Sequence, residues 1–163
     1  MRKIIILLCA LCFAVKGMCQ PHHGFSVKQV EPTFKNIDYA GDGLEGHLMD
    51  IYLPSDVKGK HKVIIAIYGS AWFANNMKSA AFFSIGKPLI DSGFAVVCIN
   101  HRSSGDAKFP AQIHDVKAAI RHLRANAGKY GLDTSFIGVT GFSSGGHLAS
   151  LAGVTNGIKT QTV

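Results

Sequence analysis

The chain has 163 residues, of which 47% are hydrophobic and 17% are charged, and its formal net charge is +7 at pH 7. This length is enough for one domain with its own core, and the balance of apolar and charged residues excludes a disordered chain. The basic residues are scattered rather than grouped with aromatic residues, which argues against nucleic acid as a partner.

The first predicted element is a secretory signal peptide over residues 1–19. Arg2 and Lys3 precede an apolar run over residues 4–15, and a short segment with small residues follows before Gln20. An apolar run of this length is too short to span a bilayer comfortably, and the pattern is typical of a cleaved signal. An uncleaved anchor is the alternative. We therefore expect a secreted or periplasmic protein without stable membrane insertion after cleavage.

Cleavage would leave only one of the four cysteines, Cys98, which lies in an apolar segment. A single thiol in such a segment indicates a buried free cysteine and excludes a disulfide framework. The histidines lack ligand spacing with cysteines or carboxylates, so no metal site is expected. No other cofactor is expected either.

The mature chain is predicted to begin with a surface leader, residues 20–34, which is followed by one α/β domain over residues 35–163. Two strand-like runs, residues 36–40 and 47–54, flank a Gly-Asp-Gly turn. Runs of this kind on either side of a tight turn predict an antiparallel pair of strands.

Three continuous apolar runs then predict strands that are buried on both faces, as in a parallel sheet. They are VIIAIY at 63–68, FAVVCIN at 94–100 and FIGVTG at 136–141. Helical segments separate them; the first ends at Gly93, and the second opens at Pro110 with apolar residues at steps of three and four. Those apolar positions are Ile113, Val116, Ile120, Leu123 and Ala127. This alternation predicts a mostly parallel sheet with helices on both faces.

Residues of distinctive chemistry follow the ends of these three strands: Tyr68, His101 and Ser143. Ligands of open parallel sheets bind at the carboxyl ends of the strands. We therefore expect the three residues at one mouth of the sheet, although His101 could also be simply solvated.

A Gly-x-Ser-x-Gly turn lies within IGVTGFSSGGHLASLAG, residues 137–153, between a strand and a helix. In serine hydrolases this turn holds the nucleophile in a strained backbone conformation, which requires neighbours with almost no side chain. Gly141 and Gly145 flank Ser143 in this way. The backbone N–H of Ser144, at the start of the helix, would face the oxyanion that forms when the serine attacks an acyl carbon. A phosphate-binding turn is the alternative.

Several motifs resemble the α/β-hydrolase superfamily, and within it the carboxylesterases similar to hormone-sensitive lipase and bacterial feruloyl esterases. They are MDIYLP, YGSAWF, FPAQIHDVKAAIRHLRANAGKYGLD and the segment around Ser143, and the similarity extends from about Asp38 to Gly153. The resemblance implies that Ser143 is the nucleophile, and that the N–H groups of Ser70, Ala71 and Ser144 form the oxyanion hole. It also implies a small-molecule or polysaccharide-linked ester as substrate.

The loop after the first buried strand departs from the His-Gly-Gly-Gly-Trp/Phe pattern of those esterases, because Tyr68-Gly69-Ser70-Ala71-Trp72 stands there. Backbone N–H groups survive these changes, but Ser and Ala resist backbone angles that glycine permits. Trp72 is expected as an aromatic plug under the loop, and a substrate platform is the alternative.

The base and acid of a catalytic triad are not identified by the sequence. The superfamily orders its triad Ser, then Asp or Glu, then His, yet all 10 acidic residues precede Ser143 and only His147 follows it. His147 lies one helical turn further on, where packing is expected, and His114 has no implied role. We therefore expect the N-terminal part of a longer esterase, whose last strand lies at an exposed sheet edge. The alternatives are a non-catalytic fragment or pseudoenzyme, and a serine peptidase of the prolyl-oligopeptidase kind.

Overall fold

A computed structural model describes residues 30–55 and 58–155. The predicted signal peptide, residues 1–19, lies outside these ranges, as does most of the predicted leader. All of the elements below belong to the unit Glu31–Val163.

Five strands form one sheet in the described part of the chain. They are β1 (Phe34–Asp38), β2 (Leu48–Tyr52), β3 (His61–Ile67), β4 (Ala95–Ile99) and β5 (Leu132–Gly141). Their spatial order is β1-β2-β4-β3-β5. The β1–β2 and β2–β4 pairings are antiparallel, whereas the β4–β3 and β3–β5 pairings are parallel. The predicted antiparallel pair and the predicted parallel core are both confirmed, and the whole sheet is mixed.

The helical segments follow the strands in the predicted alternation. After a 3₁₀ turn (Glu45–His47) they are α1 (Lys78–Ala81), a π-helical turn (Phe82–Gly86), α2 (Lys87–Asp91), α3 (Ala111–Ala125) and α4 (Ser144–Val154). None of the helices within the described ranges has the length and apolarity that a membrane-crossing segment requires.

Side chains of the central strands alternate between two helical layers, because successive residues of a strand point to opposite faces. On one face, Ile65 of β3 packs in a cluster with Val116 of α3 and Leu148 of α4. On the other face, Tyr52 stacks on Phe82 of the π-helical turn, with ring centroids 3.9 Å apart. All five residues of β4 are buried. Helices therefore cover both faces of the sheet, as predicted.

The prediction of a buried free thiol at Cys98 is confirmed. Cys98 lies in β4, and it is buried and free. Burial disfavours the thiolate and raises the pKa of this thiol far above its ordinary value. Cys98 is therefore a structural residue of the core.

The helix α3 presents the predicted apolar face to the core. Three of the five predicted positions are buried, and the other two are half-buried against the core cluster. The helix ends at Ala125, so Ala127 lies just beyond it. The pattern of steps of three and four thus identified the helix and its buried face.

The last strand is longer and less buried than predicted. β5 begins at Leu132, four residues before the predicted start of this strand at Phe136. Its pairing with β3 shifts between Lys62, opposite Asp133, and Val63, opposite Ile137. Among the described strands only β3 pairs with β5, which leaves most of its residues half-buried. β5 therefore lies at the expected sheet edge and is not covered on both faces.

A network of polar contacts around the buried carboxylate of Asp115 joins α3 to the loops that flank the sheet. The Arg102 guanidinium contacts the Asp115 carboxylate at 2.6 Å, and the Arg102 backbone N–H donates to the same carboxylate at 2.9 Å. The ring of His47 lies between Asp115, at 3.2 Å, and Asp42, at 2.8 Å. The sequence analysis did not identify this network, because its partners are far apart in the chain.

We expect Asp115→Ala to destabilise the fold by about 3 to 5 kcal/mol, because removal of one partner leaves a partly buried guanidinium without its carboxylate. The matched control is Asp91→Ala, which removes a 58% exposed carboxylate paired with Lys87. An exposed pair of this kind contributes less than about 1 kcal/mol. Urea denaturation of both variants measures the difference, and equal losses of stability would contradict the role given to the network.

Candidate active site

The backbone bends sharply at Ser143, immediately after β5. Ser143 has φ 53° and ψ −123°, and its side chain is exposed. A non-glycine residue in such a sparsely populated conformation costs about 1 to 3 kcal/mol and persists only where surrounding structure enforces it. The bend predicted from the Gly-x-Ser-x-Gly turn is therefore present, and it places the hydroxyl at the surface. We call residues 141–145 the elbow.

Two glycines of the elbow are required by close contact between backbones. A Cβ atom at Gly145 would collide with the carbonyl oxygens of Ile67 and Tyr68 at the end of β3. A Cβ atom at Gly141 would collide with the backbone of Gly145 itself. The first turn of α4 can therefore lie against the end of β3 only if both positions lack a side chain.

The 68–72 loop, which follows β3, is also strained. Ala71 has φ 48° and Trp72 has φ 62°, the left-handed region that residues with a side chain rarely adopt. The Phe73 N–H donates to the Ser70 carbonyl oxygen at 2.9 Å and closes the loop as a tight turn. Ala71 and Trp72 thus adopt backbone angles that glycine would adopt at a lower energetic cost, whereas Ser70 does not.

The 68–72 loop lies directly against the elbow. A Cβ atom at Gly69 would come within 2.6 Å of the Phe142 carbonyl oxygen and 2.8 Å of the Ser143 Cβ. The Ser70 N–H donates to the buried Ser144 hydroxyl at 3.0 Å. The loop and Ser143 are therefore neighbours. The sequence analysis missed the role of Gly69, although its place between Tyr68 and Ser70 in the loop motif was a usable signal.

The three N–H groups predicted to form the oxyanion hole differ in their surroundings. The N–H of Ser70 is engaged by the Ser144 hydroxyl. Within the described ranges, the N–H groups of Ala71 and Ser144 donate no hydrogen bond. The Ser144 N–H is unpaired because it belongs to the first turn of a helix. Two of the three predicted donors are therefore unengaged, one on each of the two segments that meet at Ser143.

Trp72 is half-buried and packs against the hydrophobic core. Its ring meets the ring of His147, from α4, edge to face at 5.4 Å between centroids. The Trp72 carbonyl oxygen accepts a hydrogen bond from the Ser104 N–H at 2.8 Å. The packing of Trp72 matches the predicted plug beneath the loop. His147 itself is exposed, so the expectation that it is a packing residue is wrong.

His101 is fully buried beneath the loop, and the expectation that it lines the mouth or is solvated is wrong. Its ring stacks on Tyr68 with centroids 4.9 Å apart, and Nδ1 donates to the Arg102 carbonyl oxygen at 2.9 Å. Its Nε2 has no hydrogen-bond partner among the described residues. Burial lowers the pKa of His101, and burial raises the pKa of Tyr68 to about 12. Both rings are therefore neutral at neutral pH and support the loop by packing.

Comparison with known proteins identifies the family. The BD-FAE family model matches residues 49–162, more than half of the chain. The chain belongs to the BD-FAE family. It is 34% identical to Esterase LipQ of Mycobacterium tuberculosis over 137 aligned residues. The aligned part is 83% of this chain and 31% of LipQ.

Two solved structures are also similar to this BD-FAE chain. A bifunctional GH43-CE protein from Bacteroides eggerthii is 72% identical, with a TM-score of 0.77, over 80% of this chain and 18% of that protein. A truncated form of a carbohydrate esterase from gut microbiota is 61% identical, with a TM-score of 0.79, over 83% of this chain and 48% of that protein. The BD-FAE chain thus spans less than half of each relative. The α/β-hydrolase-type fold and the resemblance to carboxylesterases are confirmed.

The BD-FAE chain holds part of a hydrolase site within the described ranges. No histidine or carboxylate there hydrogen-bonds the Ser143 hydroxyl, and His147 contacts Trp72 instead. No three His, Cys, Asp or Glu side chains of those residues converge as metal ligands would. What is present is an exposed serine and backbone donors, which can bind an acyl group and stabilise negative charge.

We expect Gly145→Ala to destabilise the BD-FAE domain by about 3 kcal/mol, because the added methyl group overpacks the contact with β3. The control is Gly153→Ala in the same helix, where an added Cβ meets nothing within 4 Å. That change should be neutral or stabilising by up to about 1 kcal/mol, since alanine favours a helix over glycine. Guanidinium denaturation compares the two variants, and similar behaviour would contradict the close contact at Gly145.

We also expect a pH-dependent contribution from His101. Because its pKa is lowered by folding, the unfolded chain binds a proton as the pH falls below the ordinary value of 6.5, whereas the folded chain does not. The contribution of His101 to the free energy of unfolding is therefore fully present above that pH. Below it, the free energy of unfolding declines by up to about 1.4 kcal/mol per pH unit. His101→Phe keeps a ring against Tyr68 and should lack this decline. Urea denaturation of the unsubstituted protein and of His101→Phe, at about pH 7.5 and about pH 5.5, measures this decline. The same pH dependence in the two proteins would refute the prediction.

Proposed function

We propose that this chain carries the nucleophile and the oxyanion hole of a serine carboxylic-ester hydrolase. The observation that carries the proposal is the meeting of an exposed, backbone-strained Ser143 with a loop whose Ala71 N–H is unengaged. Strain of this kind is retained at sites where function requires it. Membership of the BD-FAE family and the esterase relatives support the same activity.

The proposed reaction proceeds in two acyl-transfer steps. The Ser143 oxygen attacks the carbonyl carbon of an ester and loses its proton to a base, and the carbonyl oxygen becomes an oxyanion. N–H groups of the 68–72 loop and of Ser144 stabilise that oxyanion. The C–O bond to the alcohol then breaks, the alcohol leaves with a proton, and an acyl-serine remains. Water attacks the acyl-serine in the second step and releases the carboxylic acid and the free hydroxyl.

The base and its orienting acid are proposed to come from outside the described residues, in the order Ser, acid, His. Without a base the serine stays protonated and is a weak nucleophile. An oxyanion hole alone supports only the residual rate that remains when triad members are removed. We therefore assign full activity to the complete gene product.

The proposed substrate is a carboxylic ester carried on a carbohydrate. The support comes from the two similar solved structures, one described as a carbohydrate esterase and the other as a bifunctional protein with a CE part. Action on a carbohydrate outside the cell agrees with the predicted signal peptide, and we propose a secreted or periplasmic location.

We expect Ser143→Ala in the complete gene product to reduce kcat by at least about a thousandfold, as loss of a nucleophile does in serine hydrolases. The assay is hydrolysis of p-nitrophenyl acetate, with a matched peptide anilide to separate esterase from peptidase activity. Ser150→Ala is the control, because Ser150 is exposed on α4 and, among the described residues, its hydroxyl bonds only the Gly146 carbonyl oxygen. Undiminished turnover by the Ser143 variant would end the assignment.

A further inference from the structure

The hydroxyl of Ser144 makes a contact that the proposed reaction does not use. Ser144 is 4% exposed, and its Oγ accepts the Ser70 N–H at 3.0 Å. The two residues are 74 positions apart in sequence. Ser144 follows the proposed nucleophile directly, so this hydrogen bond joins the elbow to the 68–72 loop at the point where the ester would bind.

The loop needs such a restraint, because its backbone is held in an unfavourable conformation at two successive residues. Ala71 and Trp72 both have left-handed φ angles, and neither is glycine. A residue in that region relaxes unless neighbouring structure holds it. The turn bond from Phe73 N–H to the Ser70 carbonyl oxygen closes the loop on itself but does not fix its position relative to the elbow.

The other restraints on the loop come from elsewhere. The Tyr68 hydroxyl donates to the Ala74 carbonyl oxygen, and the Ser104 N–H donates to the Trp72 carbonyl oxygen. Among the described residues, the bond to Ser144 is the only side-chain hydrogen bond recorded between the loop and the elbow. Because the Ser70 N–H is used in this bond, the Ala71 N–H, which donates no hydrogen bond within the described ranges, is the predicted oxyanion donor of the loop that stays available.

We propose that Ser144 is a positioning residue, whose buried hydroxyl holds the Ser70 N–H so that the neighbouring Ala71 N–H stays beside Ser143. In this arrangement the oxyanion is bound by the N–H groups of Ala71 and Ser144, and the Ser70 N–H is structural. The assignment of a positioning role rests on the proposed esterase function, whereas the hydrogen bond itself does not. The two are therefore tested separately.

The first test measures amide hydrogen exchange at Ser70 in the complete gene product. In Ser144→Ala we expect the Ser70 amide to exchange about tenfold faster, the effect of losing one hydrogen bond. Ser150→Ala, the same change on an exposed part of the helix, should leave that rate unchanged. Unchanged exchange at Ser70 in the Ser144 variant would overturn the proposal. If the Ser144 variant does not fold, exchange at Ser70 is measured in the unsubstituted protein. A Ser70 amide that exchanges there as fast as an unprotected amide would also overturn the proposal.

The second test compares kinetic constants. We expect Ser144→Ala to lower kcat about tenfold with KM nearly unchanged, because a displaced donor weakens binding of the transition state more than binding of the ester. Ser144→Thr keeps a hydroxyl and should recover most of the loss. Faster exchange at Ser70 with unchanged kcat would show that the bond is only structural and would overturn the positioning role. Failure of the esterase assignment is recognised independently, by full activity of Ser143→Ala.

Discussion

The site depends on one contact between backbones, the approach of the first turn of α4 to the end of β3. No side chain fits between them, since a Cβ at Gly145 would overlap the carbonyl oxygens of Ile67 and Tyr68. This contact fixes the position of Ser143 at the end of the sheet and brings the 68–72 loop next to Ser143. The hydrogen bond between Ser70 and Ser144 is possible only because the two segments already touch. Parallel pairing of β3 and β5 provides the contact, because it places both strand ends at the same edge.

Much of the fold follows from local sequence patterns. Continuous apolar runs identified β3 and β4 within a few residues, because strands covered on both faces need apolar side chains at every position. The spacing of apolar residues identified α3 for an equally local reason. The beginning of β5 escaped detection because residues 133–135 are polar, and because Leu132 and Asp133 pair with β3 in a different register from the residues that begin at Ile137. Such pairing depends on the partner strand and leaves no periodic signal.

The candidate site also has features that the local sequence predicts and features that depend on contacts between distant segments. The bend at Ser143 was predictable, because the glycines that permit it lie within two residues of it. Contacts between distant segments were not, and the stacking of His101 on Tyr68 is an example. A histidine after a strand can be exposed or buried with equal ease, and only the neighbouring loop decides which. The same reasoning applies to Asp115, whose burial on α3 is stabilised by Arg102 from another loop.

Strain in this protein is concentrated where the proposed chemistry occurs. Of the four non-glycine residues with left-handed φ in the described ranges, three belong to the elbow or the 68–72 loop: Ala71, Trp72 and Ser143. Their cost, about 1 to 3 kcal/mol each, is offset by the packing of the parallel core beneath them. Donors held in place before the substrate arrives need no reorganisation when charge develops. The proposed donors are backbone groups, and the contact of α4 with β3 together with the Ser144 hydroxyl holds them, so their geometry is fixed by residues that this part of the chain supplies.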